Sequence, residues 1–473
     1  MKVNGGTSWR YPFLKKMIEQ RQASYVEQLF RVLRQKSIST LNIGIRECAG
    51  MLRELMEEVG LQARLLETNG HPVVYGERIC DPQAFTLLIY GHYDVQPPDP
   101  VNEWLSPPFE PTIRDGRIYC RGVGDNKGQL MAQILAIKTY LDIAGELPIN
   151  VKLILEGEEE NGSPHLASFV ESNKELLRCD LVYTADGPMH WGTPSVLLGV
   201  RGVLSVELIA KGADRDHHSG NYGNIAPNPA WKLIELLRTM RDEDGRVLIE
   251  GFYDHIVEPT ELEKKLLGQL PFEPDQIREQ VGAPNLALPL DGESFHRLTS
   301  MEPTFNICGF HSGYTGEGMK TIIPSAACVK MDMRLVIEQE PDDVFHKFCA
   351  HVQKHAADIE VKRLGGMLPS RTAADLNVVR EIVGAVRCAF EQEPVILPSV
   401  GGSLPDYVWT KILGVPSVIV PYANTDEANH APNENMKIDY FLKGIACTCE
   451  VIRKLGEFAA NGTSAVSQST AHH

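Results

Sequence analysis

The chain has 473 residues, 43% of them hydrophobic and 23% charged, which is ordinary globular composition at a length typical of two or more domains. The formal net charge of −16 argues against nucleic acid or an anionic membrane as the main partner. We expect a cytoplasmic protein with reduced thiols, because the ten cysteines are scattered and no stretch approaches the ~18 apolar residues of a membrane span.

Short apolar strands alternate with helices over the first 200 residues. Helices are predicted at 25–33, 44–59 and 129–141 and after Pro164, with Ser163 as the N-cap of the last one, and strands at 63–67, 73–76, 85–90, 149–155 and 181–184. This alternation is typical of an α/β domain with a mostly parallel sheet.

The pattern changes near residue 203. Alternating strands at 204–210, 304–309, 328–336 and 359–364 and helices at 229–240 and 341–356 predict an α+β, ferredoxin-like module, with 245–300 as its elaboration. The α/β pattern then resumes with helices at 376–392 and 441–459 and a strand at 417–420. We therefore expect a catalytic domain in two parts, an inserted domain called the lid below, and a disordered tail: 1–200 and 369–460, 201–368, and 461–473.

Acidic and imidazole side chains follow three of the predicted parallel strands. His92 and Asp94 follow the first, Glu158-Glu159-Glu160 the second and Asp186 the third, and ligands of α/β sheets gather at such strand ends. Asp125 and His430 lie in loops elsewhere. Taken singly, these residues fit a surface turn, a helix cap or a solvated histidine equally well. Together, two histidines with three carboxylates indicate a site for two divalent ions.

The motifs around these residues resemble those of metallopeptidase family 20, the co-catalytic zinc hydrolases that include carnosinases, glutamate carboxypeptidase, acetylornithine deacetylase, succinyl-diaminopimelate desuccinylase and aminoacylase. They are Gly91-His92-Tyr93-Asp94, Asp125-Asn126, Glu159-Glu160-Asn161-Gly162-Ser163, Asp186-Gly187 and His430, and the likeness runs in order from about residue 44 to 436. The resemblance implies a catalytic domain with an inserted lid that also dimerises.

The resemblance implies a role for each motif residue. The ligands of two divalent ions, Zn with Mn or Co as alternatives, would be His92, Asp125, Glu160, Asp186 and His430. Asp125 would bridge both ions and precede a cis peptide. Asp94 would orient His92, and Glu159 would be the general base. Asn161-Gly162-Ser163 fixes this register, so Glu158 is an extra acid.

The lid carries further matches to the family. His218, in Asp216-His217-His218-Ser219-Gly220, would contact the scissile carbonyl, from the neighbouring subunit in dimeric relatives. His217 is the competing choice, and Asp216 fits His218 better by spacing. The substrate carboxylate would be held by Thr321 and Arg334 of the lid and by Gly402 and Ser403 of Gly401-Gly402-Ser403-Leu404-Pro405, which resembles the family's glycine-rich substrate loop in the second part of the catalytic domain. The alternatives are a loop histidine without a role and a solvent-facing Arg334.

Three functions remain open. The first is a dinuclear metal-dependent dipeptidase or carboxypeptidase, a homodimer that cleaves small peptides beside a free carboxylate. The second uses the same metal centre on N-acyl amino acids, as a deacylase or amidohydrolase. The third, a catalytically silent metal-binding scaffold, would require a missing base or ligand, and none is missing. The first is favoured by the long lid and its Thr321 and Arg334 pair.

Overall fold

The computed structural model describes residues 10–462 apart from 284, 285, 287 and 290. The helices of this part are α1 Tyr11–Gln20, α2 Gln22–Arg34, α3 Ile45–Glu58, α4 Lys127–Ala144, α5 Leu166–Ser172, α6 Lys174–Leu177, α7 Ser219–Tyr222, α8 Pro229–Met240, α9 Glu261–Gly268, α10 Pro274–Val281, α11 Gly292–Ser300, α12 Pro341–Ala356, α13 Asn377–Phe390 and α14 Ile438–Ala460. None of them is long and apolar enough to cross a membrane. The predicted tail lies outside the described residues from 463 onward.

The strands form one large sheet, one four-stranded sheet and three small ladders. In chain order they are β1 Gln62–Leu66, β2 Val73–Arg78, β3 Thr86–His92, β4 Thr112–Arg114, β5 Arg117–Tyr119, β6 Asn150–Glu156, β7 Leu181–Thr184, β8 Ser195–Leu197, β9 Gly199–Val200, β10 Gly202–Lys211, β11 His217–His218, β12 Thr304–Ser312, β13 Ile322–Ile323, β14 Ala326–Leu335, β15 Glu360–Met367, β16 Ser370–Arg371, β17 Val395–Leu397, β18 Ser417–Ile419 and β19 Asn435–Lys437.

The large sheet has the strand order β1-β2-β6-β3-β7-β18-β8-β17. Its four central strands, β6, β3, β7 and β18, are parallel, whereas β1 and β2 form an antiparallel edge and β8 runs antiparallel to β18. The prediction of a mostly parallel sheet in a mixed α/β protein is confirmed.

Both faces of the large sheet are covered, which explains why its strands are continuously apolar. Successive side chains of β3 point to opposite faces. Leu87 and Ile89 join the core formed with α2, α3, α4, α13 and α14, and Leu88 and Tyr90 join the core formed with α5 and a π-helical turn at Val408–Leu413.

The four-stranded sheet is antiparallel, in the order β12-β14-β10-β15. Helices α8 and α12 pack on it through a separate core that includes Leu204, Leu233, Met331 and Phe348. The order of elements along the chain is β-α-β-β-α-β, so the ferredoxin-like prediction is confirmed. Strand β10 begins at Gly202 and β15 ends at Met367, while the division of the chain at 201 and 368 stays a prediction.

The stretch 245–300 does not belong wholly to the lid, and that expectation was wrong. Val247 and Phe252 pack in the lid core as predicted. Leu267, in α9, instead packs with Leu197 and Leu397 of the large sheet. Apolar side chains of α9 are thus buried by the catalytic domain, and this helix adds a layer over the β8–β17 edge.

Candidate metal centre

The register of the central strands brings the predicted ligands together. His92, at the end of β3, is the neighbour of Glu156 at the end of β6, and Tyr90 of β3 is paired with Thr184 of β7. The turns that follow β6 and β7 therefore begin at the same edge of the sheet as His92. Those turns carry Glu160 and Asp186.

Two groups of side chains converge there and share Asp125. In the first, His92 Nε2 lies 3.0 Å from Asp125 Oδ1 and 3.8 Å from Asp186 Oδ2. In the second, His430 Nε2 lies 3.1 Å from both Asp125 Oδ2 and Glu160 Oε2. One candidate ligand atom from each residue lies within 4.8 Å of the others in its group. We call these five residues the metal centre.

Asp125 lies in a loop that is fixed by hydrogen bonds to Glu434, a residue far away in sequence. The Glu434 carboxylate accepts hydrogen bonds from the backbone amides of Gly122, Gly124 and Asp125, and from Arg121 Nη1 at 2.7 Å. The peptide between Asp125 and Asn126 is cis, as the resemblance implied. The sequence interpretation gave Glu434 no role, although it lies four residues after His430.

Asp94 links His92 to the turn with the glutamates. Its carboxylate is fully buried, lies 3.4 Å from His92 Nδ1, and accepts the backbone amides of Glu159 and Glu160 at 3.2 and 3.1 Å. With Nδ1 facing Asp94, Nε2 of His92 is directed at Asp125. Glu159 Oε2 lies 4.0 Å from that Nε2, beside the first group.

Glu158 faces away from the metal centre. Its Oε2 is 2.8 Å from His165 Nδ1, so the extra acid has a partner of its own. Ser163 does not cap a helix, and that prediction was wrong, since α5 begins only at Leu166. The Ser163 backbone is left-handed, with φ 50°, and its hydroxyl donates to Glu156, which is buried behind the turn.

In the metal-free protein, burial and the charges of neighbouring residues set the pKa of each residue in the metal centre. The pKa of Asp186 rises to about 6 because of burial, which the His92 charge only partly offsets. The pKa of Glu159 is well above its usual range because of burial and the nearby Asp186 and Asp125 carboxylates, again against His92. The pKa of His430 rises to about 10 because the imidazole is hydrogen-bonded to Asp125 and Glu160.

The residues of the centre fit divalent cations. Imidazole nitrogens and carboxylate oxygens are ligands that such ions accept, and each half of the centre offers three. An excess of negative charge surrounds them. Both Glu427 oxygens are buried without a hydrogen-bond partner among the described residues, and a side chain on Gly124 would collide with this carboxylate. Sequence interpretation missed Glu427, since an acid three residues before a histidine has no distinctive local pattern.

The predicted lid residues fall into two groups, His218 and Thr321 on a hairpin and Arg334 on β14. Among the described residues, neither group contacts the metal centre. His218, on the two-residue ladder β11–β13, is exposed, and its Nδ1 accepts only the Gly220 amide among the described residues. Thr321, also exposed, accepts the Ser219 amide through its carbonyl. Asp216 bonds to Ser325 rather than to His218, contrary to the spacing argument.

Arg334 contacts the glycine-rich loop Gly401-Gly402-Ser403. Its Nη1 donates to Ser403 Oγ at 2.7 Å, which brings two of the predicted carboxylate-binding residues together. Arg201, which sequence interpretation missed, fixes this loop through two hydrogen bonds. Its backbone amide donates to the Gly402 carbonyl and its Nε donates to the Gly401 carbonyl. Burial and the charge of Arg334 lower the pKa of Arg201 to about 10.

Comparisons with known proteins agree with this geometry. The sequence model of Peptidase family M20/M25/M40 matches residues 88–454. A solved M20 family metallo-carboxypeptidase from Sulfolobus solfataricus is 39% identical, with a TM-score of 0.86, and the match covers 92% of this chain and 99% of that one.

Two curated relatives are dipeptidases. The Cys-Gly metallodipeptidase of Schizosaccharomyces pombe is 27% identical over 93% of this chain and 98% of its own, and the human Beta-Ala-His dipeptidase is 29% identical over 79% and 75%. Since the family model spans most of the chain, this protein belongs to peptidase family M20/M25/M40.

Proposed function

We propose that this protein is a metal-dependent dipeptidase that cleaves a peptide bond beside a free carboxylate. One observation carries the proposal. Two groups of ligand atoms share Asp125, while Glu159 lies 4.0 Å from His92 and belongs to neither group. A paired centre with an adjacent free carboxylate suits amide hydrolysis by an activated water.

Two divalent ions would be held by the metal centre, one by His92 and Asp186, the other by Glu160 and His430, with Asp125 between them. We propose Zn, with Mn or Co as alternatives, since a set rich in oxygen donors accepts all three. Bound there, the ions would polarise the amide carbonyl and lower the pKa of a water molecule.

Glu159 would move the proton. Its carboxylate would accept a proton from the attacking water and deliver it to the leaving amine. Glu159 Oε2 lies 4.0 Å from His92 Nε2 and belongs to neither ligand group, so its carboxylate stays free to take the proton. Asp94 would keep this turn in place through the two backbone amides that it accepts.

The free carboxylate of the substrate would be held at Arg334, Ser403 and the backbone of Gly402, and also by Thr321, which lies apart from these three on the lid hairpin. A guanidinium gives bidentate recognition of a carboxylate. The relatives support a small peptide substrate, since they are a Cys-Gly dipeptidase, a Beta-Ala-His dipeptidase and a carboxypeptidase.

We further propose a cytoplasmic homodimer that associates through the lid. The lid exposes large apolar side chains on α8 and on the edge strand β12, among them Trp231 at 63% and Ile307 at 53%. An interface there would also give His218 a route to a neighbouring metal centre. The cytoplasmic location is supported by the ten cysteines, all free thiols.

The test begins with metal analysis of the purified protein and its sedimentation behaviour. The loaded enzyme is then assayed on Ala-Gly and on the same dipeptide with an amidated C-terminus, beside N-acetyl and N-succinyl amino acids. We expect metal-dependent cleavage of the free dipeptide and weak cleavage of the amide. Preference for the N-acyl amino acids would favour the deacylase instead, and loaded protein inactive on every substrate would contradict both.

A further inference from the structure

A cavity of about 790 Å³ lies between α10 and the edge of the large sheet. Its sheet side is apolar and its α10 side is polar. The sheet side includes Met189, Trp191, Leu197, Leu397 and Val400, and the α10 side consists of Gln276, Glu279 and Gln280. The cavity thus exists because helices α9 and α10 pack over this edge, a feature for which the proposed chemistry has no use.

The cavity adjoins both ends of the proposed substrate site. Pro188 lines it and is two residues from Asp186, and Val400 lines it and is two residues from Gly402. Two residues span at most about 7.6 Å between Cα atoms, so each wall begins close to one end of the site. The two walls of the cavity thus begin beside the two groups that the proposed function assigns to the substrate, Asp186 at the amide and Gly402 at the carboxylate.

The wall next to Asp186 is held by hydrogen bonds. The Met189 amide donates to the Ala423 carbonyl at 3.0 Å, and Thr425 Oγ1 donates to the Met189 carbonyl at 3.0 Å. The amide of His190 donates to Ser195 Oγ at 2.8 Å. The space is therefore lined by a fixed loop, as a binding pocket requires.

The cavity has a negative end. Of the described residues that line it, Glu279 alone is charged at neutral pH, because burial and the neighbouring His296 lower the pKa of His190 to about 4. Glu279 has no ion-pair partner in the described part of the chain, and the adjacent Arg278 is paired with Asp275 instead. Glu279 is exposed, so water solvates its carboxylate, and a cation beside it would form an ion pair of surface strength.

We infer that this cavity receives the side chain of the substrate's C-terminal residue and favours a long aliphatic chain that ends in a cation, such as lysine. The inference rests on the proposed function. The aliphatic stem packs against Met189, Leu397 and Val400, and the ammonium group lies at Glu279. A side chain of this kind matches both the apolar wall and the charge of the cavity.

The test compares kcat/KM of the metal-loaded enzyme on Ala-Gly, Ala-norleucine, Ala-Lys and Ala-Glu. Norleucine should exceed glycine about tenfold or more, because its methylenes are buried. Lysine should exceed norleucine about fivefold, as expected for a partly exposed ion pair. Glu279→Lys should reverse the order of Ala-Lys and Ala-Glu, whereas Glu243→Lys, the same charge change at an exposed lid position, should preserve it.

Two results would overturn the inference while leaving the proposed function intact: cleavage of Ala-Gly as fast as of the three longer substrates, or an unchanged Lys-to-Glu ratio in Glu279→Lys. A second variant, Gln280→Trp, fills the cavity from the surface of α10. It should lower kcat/KM for Ala-Lys more than for Ala-Gly, and equal losses would contradict a side-chain pocket. Loaded enzyme that cleaves none of the four dipeptides would instead refute the proposed function, and this inference with it.

Discussion

The metal centre and the lid present their functional side chains in different ways. In the centre, His92 is fully buried and Asp186 is 6% exposed, and Asp94 behind His92 is fully buried; only His430, which comes from a loop, is exposed among the five. In the lid, His218 and Thr321 are exposed on a two-residue ladder, and the His218 ring has one described hydrogen bond, to Gly220. The buried side chains of the metal centre are fixed at the strand ends of a covered sheet, whereas those of the lid lie on a short hairpin.

This difference shows which side chains one chain can hold in place by itself and which need substrate or another subunit to be positioned. Charged ligands lie beside each other in the core because backbone amides and buried partners fix them, as Asp94 fixes the turn of Glu159 and Glu160. A hairpin on the surface has no such support. We therefore expect substitutions in the centre to act within one chain, and those of the lid hairpin to depend on substrate or on the second subunit of the proposed dimer.

The largest effect is expected from Glu159→Gln. It removes the proton acceptor and keeps the shape of the side chain, so kcat should fall roughly 10³-fold. Metal content should stay at the wild-type level, because Glu159 belongs to neither ligand group. Steady-state kinetics and metal analysis of the same preparation check both statements. Glu158→Gln is the matched control, and an equal loss there would refute the assignment of the base.

The metal centre was largely predictable from the sequence, because its signals are local. A buried apolar strand followed by an acid is visible in a few residues, and the parallel sheet brings such ends together. The supporting contacts were not visible. Arg121 and Glu434 lie 313 residues apart in sequence, and Arg201 reaches the Gly401 carbonyl from 200 residues away. Nothing local distinguishes them from surface charges.

The same reasoning explains the errors at α9 and Ser163. The amphipathic pattern of α9 shows that one face is buried but not which domain buries it. Ser163 before Pro164 has the composition of a helix start, yet its hydroxyl is recruited by the buried Glu156. In both cases the local pattern was read correctly, but a contact with a residue distant in sequence decided the structure.

His218→Ala tests the lid side of the comparison. If His218 stabilises charge on the scissile carbonyl, kcat should fall about 10²-fold without loss of metal. Mixing this variant with Glu159→Gln should restore part of the activity, because one mixed site then has both groups intact. His217→Ala is the matched control. Absence of recovery in proven heterodimers would place His218 in its own chain's site.

Arg334→Met tests the link between lid and loop. Loss of a charge-assisted contact to the substrate carboxylate should reduce kcat/KM about tenfold to hundredfold. The same substitution should have little effect on a C-terminally amidated dipeptide, which lacks that carboxylate. Comparing the two substrates isolates the contact from any general damage. Equal losses on both would mean that Arg334 only supports Ser403.

The smallest effect is expected in the stability of the metal-free protein as a function of pH. The pKa of His430 rises from 6.5 to about 10 through its hydrogen bonds with Asp125 and Glu160. Between these values the folded state binds more protons than the unfolded state, so the stabilisation is complete below pH 6.5 and is lost as pH rises toward 10. The urea midpoint of chelated protein should therefore fall between pH 6.5 and 9.5.

Bound cations should remove this dependence, because they replace the proton on His430. The loaded protein should thus keep its urea midpoint over the same range, and metal-free His430→Asn should show a flatter profile than the metal-free wild type. A loaded protein that loses stability as steeply as the chelated one would show that the proton on His430 is not the group involved. The buried Asp186, with a pKa raised to about 6 by burial, loses its stabilisation mostly below pH 6.5. The pKa of His92 is raised too, against its burial, by hydrogen bonds with Asp125 and Asp94, so the difference between the His430→Asn and wild-type profiles measures the part due to His430.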